Sequence, residues 1–302
     1  MDGILIIDKP AGITSHDVVS RVRRILKTKR VGHTGTLDPF ATGVMVILVG
    51  QATRLAQFLD KDEKEYEALV RFGFETGTGD LTGVRSAESG MRNEEVTELV
   101  DSTDWDSVFS SFRGEIEQMP PMFSAKKVGG KKLYEHARKG EVVERSAIKV
   151  VIHKLEVMGG QEIRIPHSAL RIRVVCSAGT YIRTLAEDIG RKIGTGAHLA
   201  ELRRTRAGKF MISESLTLER LGELTDPTAA LKPMEQAVSH LSSIELTDER
   251  IAKTRNGLST RIIDTNFNDG EAVQMLNTGG QLIAIGFYNA TENIVQPKVV
   301  LV

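Results

Sequence analysis

The segment "VGHTGTLDPFATG", residues 31–43, holds one aspartate, Asp38, between two Thr-Gly pairs, with His33 five residues upstream. Asp-Pro and Thr-Gly are turn vocabulary, and an Asp there ordinarily caps or turns the backbone. A chemical role asks for more. A nucleophilic carboxylate must be ionised yet partly withdrawn from water, and burial raises its pKa. It therefore needs a cation beside it and a rigid mount. Pro39 and the neighbouring glycines supply rigidity. The cation must come from elsewhere, and "CSAGTYIRTLAEDIG", residues 176–190, offers Arg183. Tyr181, Ile182 and Leu185 make its surroundings an inward-packed helical turn. A guanidinium there could pair with a carboxylate and lower its pKa by roughly 1–3 units.

Elements that could position these groups follow from periodicity. "GILIIDKP" reads as a short buried strand stopped by Pro10. "SHDVVSRVRRILK" reads as a helix with Ser15 as N-cap and Val18, Val19, Val22, Ile25 and Leu26 on one face. "GVMVILVG" at 43–50 is an interior strand, and "KEYEALVRFG" at 64–73 is another. Residues 147–157 and 169–176 are strands, and "TYIRTLAEDIG" is the helix that follows the second. The acidic segment "RNEEVTELVDSTDWDSVFSSFRG" predicts two short helices, and "KKLYEHARKG" one more, ended by Gly140. Helices and strands mix without a βαβ rhythm, so the fold class is α+β with a mixed, mostly antiparallel sheet. The texture changes near residue 241. There "SSIELTDERIAKTRNG" gives one short helix, and "EAVQMLN", "QLIAIGFYN" and "NIVQPKVVLV" follow as strands. The expected division is therefore a domain over 1–240 and a small β-rich domain over 241–302.

Composition narrows the function classes. The chain has 302 residues, 40% of them hydrophobic, enough for a packed core. A single cysteine, Cys176, excludes an internal disulfide and a Cys-rich metal site. The seven histidines show no metal-ligand spacing, so no metal is expected. No signal peptide and no membrane span are read, and the expected location is the cytoplasm. The formal net charge is zero, from 40 Lys/Arg and 40 Asp/Glu, but the distribution is uneven. Residues 120–139 carry six Lys/Arg against one Glu, residues 201–209 four against one, and residues 60–117 six against sixteen acids. Local basic segments in a neutral chain permit a groove for a phosphate backbone.

Six segments then occur in order: "DKPAGITS" at 8–15, "GHTGTLDPFATG" at 32–43, "KEYEALVRFG" at 64–73, "QMPPMFSAKKVGGKKLYEHARKG" at 118–140, "CSAGTYIRTLAEDIG" at 176–190 and "AHLAELRRTRAGKF" at 197–210. Together they resemble the TruB-type pseudouridine synthase family, the bacterial tRNA pseudouridine-55 synthases, over nearly the whole chain. Residues 241–302 resemble that family's PUA domain. The resemblance implies an isomerase that needs no cofactor. In that reaction a uridine of the tRNA T-loop leaves its N1 glycosidic bond, rotates and rejoins the ribose through C5. By match to the motifs, Asp38 is the catalytic nucleophile, Tyr66 the active-site tyrosine that stacks on the base, and Arg183 the partner of Asp38. Tyr181 and Leu202 line the uridine pocket. His33 fills the gap left by the flipped base, since extrusion costs a few kcal/mol. Lys9 and Pro10 buttress the catalytic loop, with Lys9 near a phosphate. Lys126 and Lys127, and Arg203 and Arg204, belong to basic runs at 126–132 and 203–206 that track phosphates, which position RNA without reading sequence. "FETGTGDLTG" at 74–83 matches a family loop containing Thr76, Thr78 and Asp80, with no role assigned. The expected partner is the T-arm of tRNA, bound by a monomer. The competing reading is a non-catalytic tRNA-binding or folding module using the same groove. Asp38, Tyr66 and Arg183 together favour the enzyme, because binding alone has no use for a carboxylate facing phosphates.

Overall fold

The computed structural model describes residues 1–59, 62–88, 90–159, 168–262 and 266–301. The first part runs β1 (Gly3–Lys9), α1 (Ser15–Ile25), β2 (Val31–His33), β3 (Thr42–Val49), β4 (Lys64–Phe72), β5 (Phe74–Thr76) and β6 (Arg85–Glu88). It continues with α2 (Asn93–Ser102), α3 (Trp105–Ser110), β7 (Gly114–Gln118), β8 (Lys127–Val128), β9 (Lys131–Lys132) and α4 (Leu133–Ala137). Then come β10 (Ile148–Val157), β11 (Ala169–Cys176), α5 (Ile182–Lys192), β12 (Ala197–Ala207), β13 (Phe210–Met211) and α6 (Leu218–Glu223). The tail holds β14 (Ser242–Leu246), α7 (Asp248–Arg255), β15 (Thr260–Arg261), β16 (Ala272–Asn277), β17 (Leu282–Asn289) and β18 (Ile294–Val300).

The larger sheet has the order β1-β3-β12-β4-β11-β10-β7, with β2 added to β3 and β13 to β12. Every pairing in it is antiparallel except β12 with β3, where Arg203 lies opposite Thr42 and Arg204 opposite Gly43. The α+β, mostly antiparallel expectation is met. Strand β3 shows why the sheet forms: Val44, Val46 and Leu48 face one side, Met45, Ile47 and Val49 the other, and all six are buried. On the second side they join Val18, Val19 and Val22 of α1 and Leu185 and Ile189 of α5. Gly43 is where β3 and β12 come closest. Its φ is +103°, and a Cβ there would lie 2.2 Å from the Arg204 carbonyl oxygen. Only glycine fits that approach.

Two sequence expectations need correction. The N-cap of α1 is Thr14, not Ser15: Thr14 accepts from the Asp17 N–H while Asp17 reaches back to the Thr14 N–H. The tail also begins with a strand, β14, paired parallel with β16, in a segment expected to give one short helix alone. The five-stranded tail sheet, in the order β14-β16-β17-β18-β15, has its own apolar cluster of Leu246, Val273, Met275, Ile283 and Val295. Leu282, Ile285, Val299 and Leu301 instead join Ile4, Ile6, Val44 and Val46 in one core that spans both sheets. No helix among the described residues is long and apolar enough to cross a membrane.

Candidate active site

Asp38 lies on the loop between β2 and β3, and buried groups hold that loop in place. Ser15 Oγ accepts from the Leu37 N–H at 2.8 Å and donates to the Leu37 carbonyl at 3.0 Å. Lys9, fully buried, donates to the carbonyls of Pro10, Pro39 and Ala41 at 2.9, 3.1 and 2.6 Å. The Gly12 N–H donates to the Pro39 carbonyl at 2.8 Å. From the other side Arg204, 2% exposed, donates through Nε to the Val44 carbonyl at 2.7 Å and through Nη2 to Gly35 at 3.3 Å. Burial lowers the Lys9 pKa to about 8, with Asp38 drawing it back up. The ammonium therefore persists at neutral pH, with one proton for each of its three carbonyls.

The Arg183 guanidinium meets Asp38 fork to fork. Nε lies 2.9 Å from Oδ2 and Nη2 3.2 Å from Oδ1. It also donates through Nη1 to the Thr78 carbonyl at 2.9 Å and through Nη2 to the Phe123 carbonyl at 2.7 Å. Such two-pronged pairing fixes the plane of the carboxylate and opposes its protonation. Burial pushes the Asp38 carboxyl up from its ordinary value, Asp80 adds to that, and Arg183 and Lys9 pull it back. Asp80, also buried, stands 4.0 Å from Arg183 Nη1. Its Oδ1 accepts from the Thr78 hydroxyl and from the hydroxyl and N–H of Thr82. Helix α5 delivers Arg183 because its start is anchored: Gln118 Oε1 accepts from the Tyr181 N–H at 2.9 Å and Gln118 Nε2 donates to the Tyr181 carbonyl at 3.2 Å.

Two cavities meet at this pair. One of about 240 Å³ is lined by Asp38, Tyr66, Tyr181, Arg183, Leu202 and Arg204 among others. The other, about 550 Å³, is lined by Asp38, Arg183, Asp80, His33, Lys132 and Arg138 among others. Tyr66 on β4 stands opposite Arg204 on β12 and Val174 on β11. Burial raises the Tyr66 hydroxyl pKa, and the adjacent Arg204 guanidinium draws it down. Burial keeps the His33 ring below the ordinary His pKa, which favours the neutral imidazole. The Cys176 thiol is buried, and that burial pushes its pKa to about 11, so it is inert.

The structure thus brings Asp38, Tyr66, Arg183, Tyr181, Leu202 and His33 to one cleft. It does not leave three of the expected phosphate contacts free. Lys9 and Arg204 are buried and spent on backbone carbonyls. Arg203 holds Asp8 with both prongs, at 2.7 and 3.1 Å, and its neighbour Arg206 pairs with Glu63 and Glu65. Lys127 is exposed and Lys126 half-buried, and neither lines either of these two cavities, whereas Lys132 and Arg138 line the larger one. Gln118, Ser15 and Asp80 were not singled out as working residues. The Thr and Asp spacing around Asp80 and the short distance from Ser15 to the turn after β1 were the only sequence signals.

A mixed sheet with a β-rich tail, its cleft holding a carboxylate gripped by an arginine beside a tyrosine, defines the class: a pseudouridine synthase fold. The solved Cbf5-Nop10-Gar1 complex matches over 99% of this chain and 85% of that chain, with a TM-score of 0.73 and 28% identity. Residues 23–182 match the TruB family pseudouridylate synthase N-terminal domain, and residues 183–239 the tRNA pseudouridylate synthase B C-terminal domain. The chain belongs to the TruB family, whose members are isomerases. The tRNA pseudouridine synthase B of Bacillus pumilus is 39% identical over 100% of this chain and 98% of its own length. That of Geobacillus thermodenitrificans is 44% identical over 87% of this chain and 86% of its own.

Proposed function

We propose that this protein converts the uridine at position 55 in the T-loop of tRNA to pseudouridine, with Asp38 as nucleophile. The fork-to-fork pair of Asp38 and Arg183 at the junction of two cavities carries this reading. The uridine must first leave its stack, at a cost of a few kcal/mol. His33, planar and neutral, is suited to occupy the gap. The base then enters the smaller cavity against Tyr66 and Leu202, where its ribose meets Asp38. The N1–C1′ bond breaks, the base rotates, and C1′ bonds C5, which gives up its proton as N1 gains one. Attack at C1′, attack at C6 and removal of a ribose proton all use an ionised carboxylate at this point. Arg183 keeps that carboxylate charged and aimed, and no bound cofactor enters the steps. Lys132 and Arg138 face the larger cavity and suit the phosphates that flank the target.

The test is to incubate the purified protein with an unmodified tRNA transcript and map pseudouridine at nucleotide resolution. One new pseudouridine, at position 55, is expected. The Asp38→Asn variant should form none while binding the transcript within a few-fold of the original protein. Turnover by that variant, or product only at other positions, overturns the reading.

A further inference from the structure

Ser124 carries a buried hydroxyl with no hydrogen-bond partner among the described residues, and the residue is 5% exposed. A buried unpaired hydroxyl is costly and uncommon, which makes it a marker of function. Nothing about the backbone here is slack. The Ser124 carbonyl accepts from the Tyr134 N–H at 3.1 Å, and the carbonyl of Phe123 accepts from Arg183 Nη2 at 2.7 Å. The hydroxyl is thus held beside the Asp38–Arg183 pair by the guanidinium that orients Asp38.

We infer that the Ser124 hydroxyl hydrogen-bonds the ribose 2′-hydroxyl of the nucleotide that Asp38 acts on. This rests on the function proposed above. Ser124 lines both cavities, as do Asp38 and Arg183. With the base against Tyr66 and Leu202 in the smaller cavity, and Lys132 and Arg138 facing the larger one, the sugar is the part of the nucleotide at the junction. A phosphate is the poorer occupant, because Asp38 and Asp80 both stand on the Arg183 guanidinium and repel it. A serine hydroxyl both donates and accepts, as the 2′-hydroxyl does. The 2′-hydroxyl is also the group by which a protein tells RNA from DNA. Ser124 thereby makes the pocket selective for a ribonucleotide.

The test combines two proteins with two RNAs. Dissociation constants are measured in the Asp38→Asn background, with and without Ser124→Ala, for tRNA carrying uridine or 2′-deoxyuridine at the target position. Loss of one hydrogen bond should weaken uridine tRNA binding by up to about tenfold and leave the deoxyuridine tRNA unchanged. Equal losses on both RNAs, or no loss on either, overturn the assignment. The melting temperature of free Ser124→Ala protein should be unchanged or raised, since an unpaired hydroxyl has been removed. A fall of several degrees would mark a structural role and also overturn it. Pseudouridine mapping with the Ser124 protein runs alongside. If it forms no pseudouridine, the function proposal fails as well; if it does and the four constants show no pattern, only the Ser124 assignment fails.

Discussion

Arg183 spends its guanidinium on four oxygens at once: both of Asp38 and the carbonyls of Thr78 and Phe123. Lysine keeps the charge but has a single nitrogen and cannot span that set. Arg183→Lys should therefore slow pseudouridine formation by about a hundredfold in single turnover, the scale on which small misplacements of a reacting group act. The pH profile should carry two marks. Burial raises the Asp38 pKa, so on acidification kcat/KM should begin to fall at a higher pH than a free aspartate would dictate. Lys9 loses its proton as pH rises through about 8, and with it one of the three donors that hold the Asp38 loop. An alkaline fall near that pH is expected. A profile flat from pH 7 to 9 would exclude the Lys9 effect.

Helix α5 carries a second, half-buried acid, Glu187, one turn beyond Arg183. Its pKa is pushed up to about 7, mainly by burial, with Glu75 and Asp188 adding to the shift and Arg191 and Arg183 opposing it. Glu187 Oε1 lies 2.6 Å from where a Cβ of Gly79 would stand, so it packs under the loop that holds Asp80. A raised carboxyl pKa favours the folded state fully below the unfolded value of 4.5, and that benefit is lost as pH rises through about 7. Glu187→Gln should melt several degrees higher than the parent at pH 8, worth about 1–3 kcal/mol, and show little difference at pH 4.5. The elements themselves were largely legible. The run Val44–Val49, buried on both faces, announces an interior strand, and the valines of α1 announce its buried face. Ser15 and Thr14 are equally good caps by type, and only the return bond from Asp17 decides between them. The arginines of β12 were misread for a plainer reason. A count of charges along the chain cannot show which acids lie across the sheet, and here Asp8, Glu63 and Glu65 do. The meeting of Asp38 with Arg183, 145 residues apart, came from the resemblance and not from periodicity.

The two sheets share one core, so the tail is not a bead on a string. Ile285→Ala removes apolar contact from the cluster that includes Ile4, Ile6, Val44 and Val46, and should cost about 2–4 kcal/mol. Trp105, the only tryptophan, stacks 5.4 Å from Phe72 in the first part and reports on it alone. Its fluorescence should shift at the same lowered temperature as the circular dichroism of the whole chain. An unchanged Trp105 transition would show two independent units. At this scale the zero net charge also resolves, because much of the basic character is neutralised by internal ion pairs. Lys132 and Arg138 remain at the cleft, so tRNA affinity should still fall with added salt, with a shallower slope than the basic counts along the chain suggest. One consequence follows from the close contact at Gly43. Asp38 precedes β3, Leu202 and Arg204 belong to β12, and those two strands are bonded neighbours with no room for a side chain between them. The loop that carries Asp38 and the strand that carries Leu202 and Arg204 are thus joined in one slab. On the function proposed above, a finished nucleotide is expected to leave past the stretch from Phe123 to Arg138, which lies outside that pair of strands.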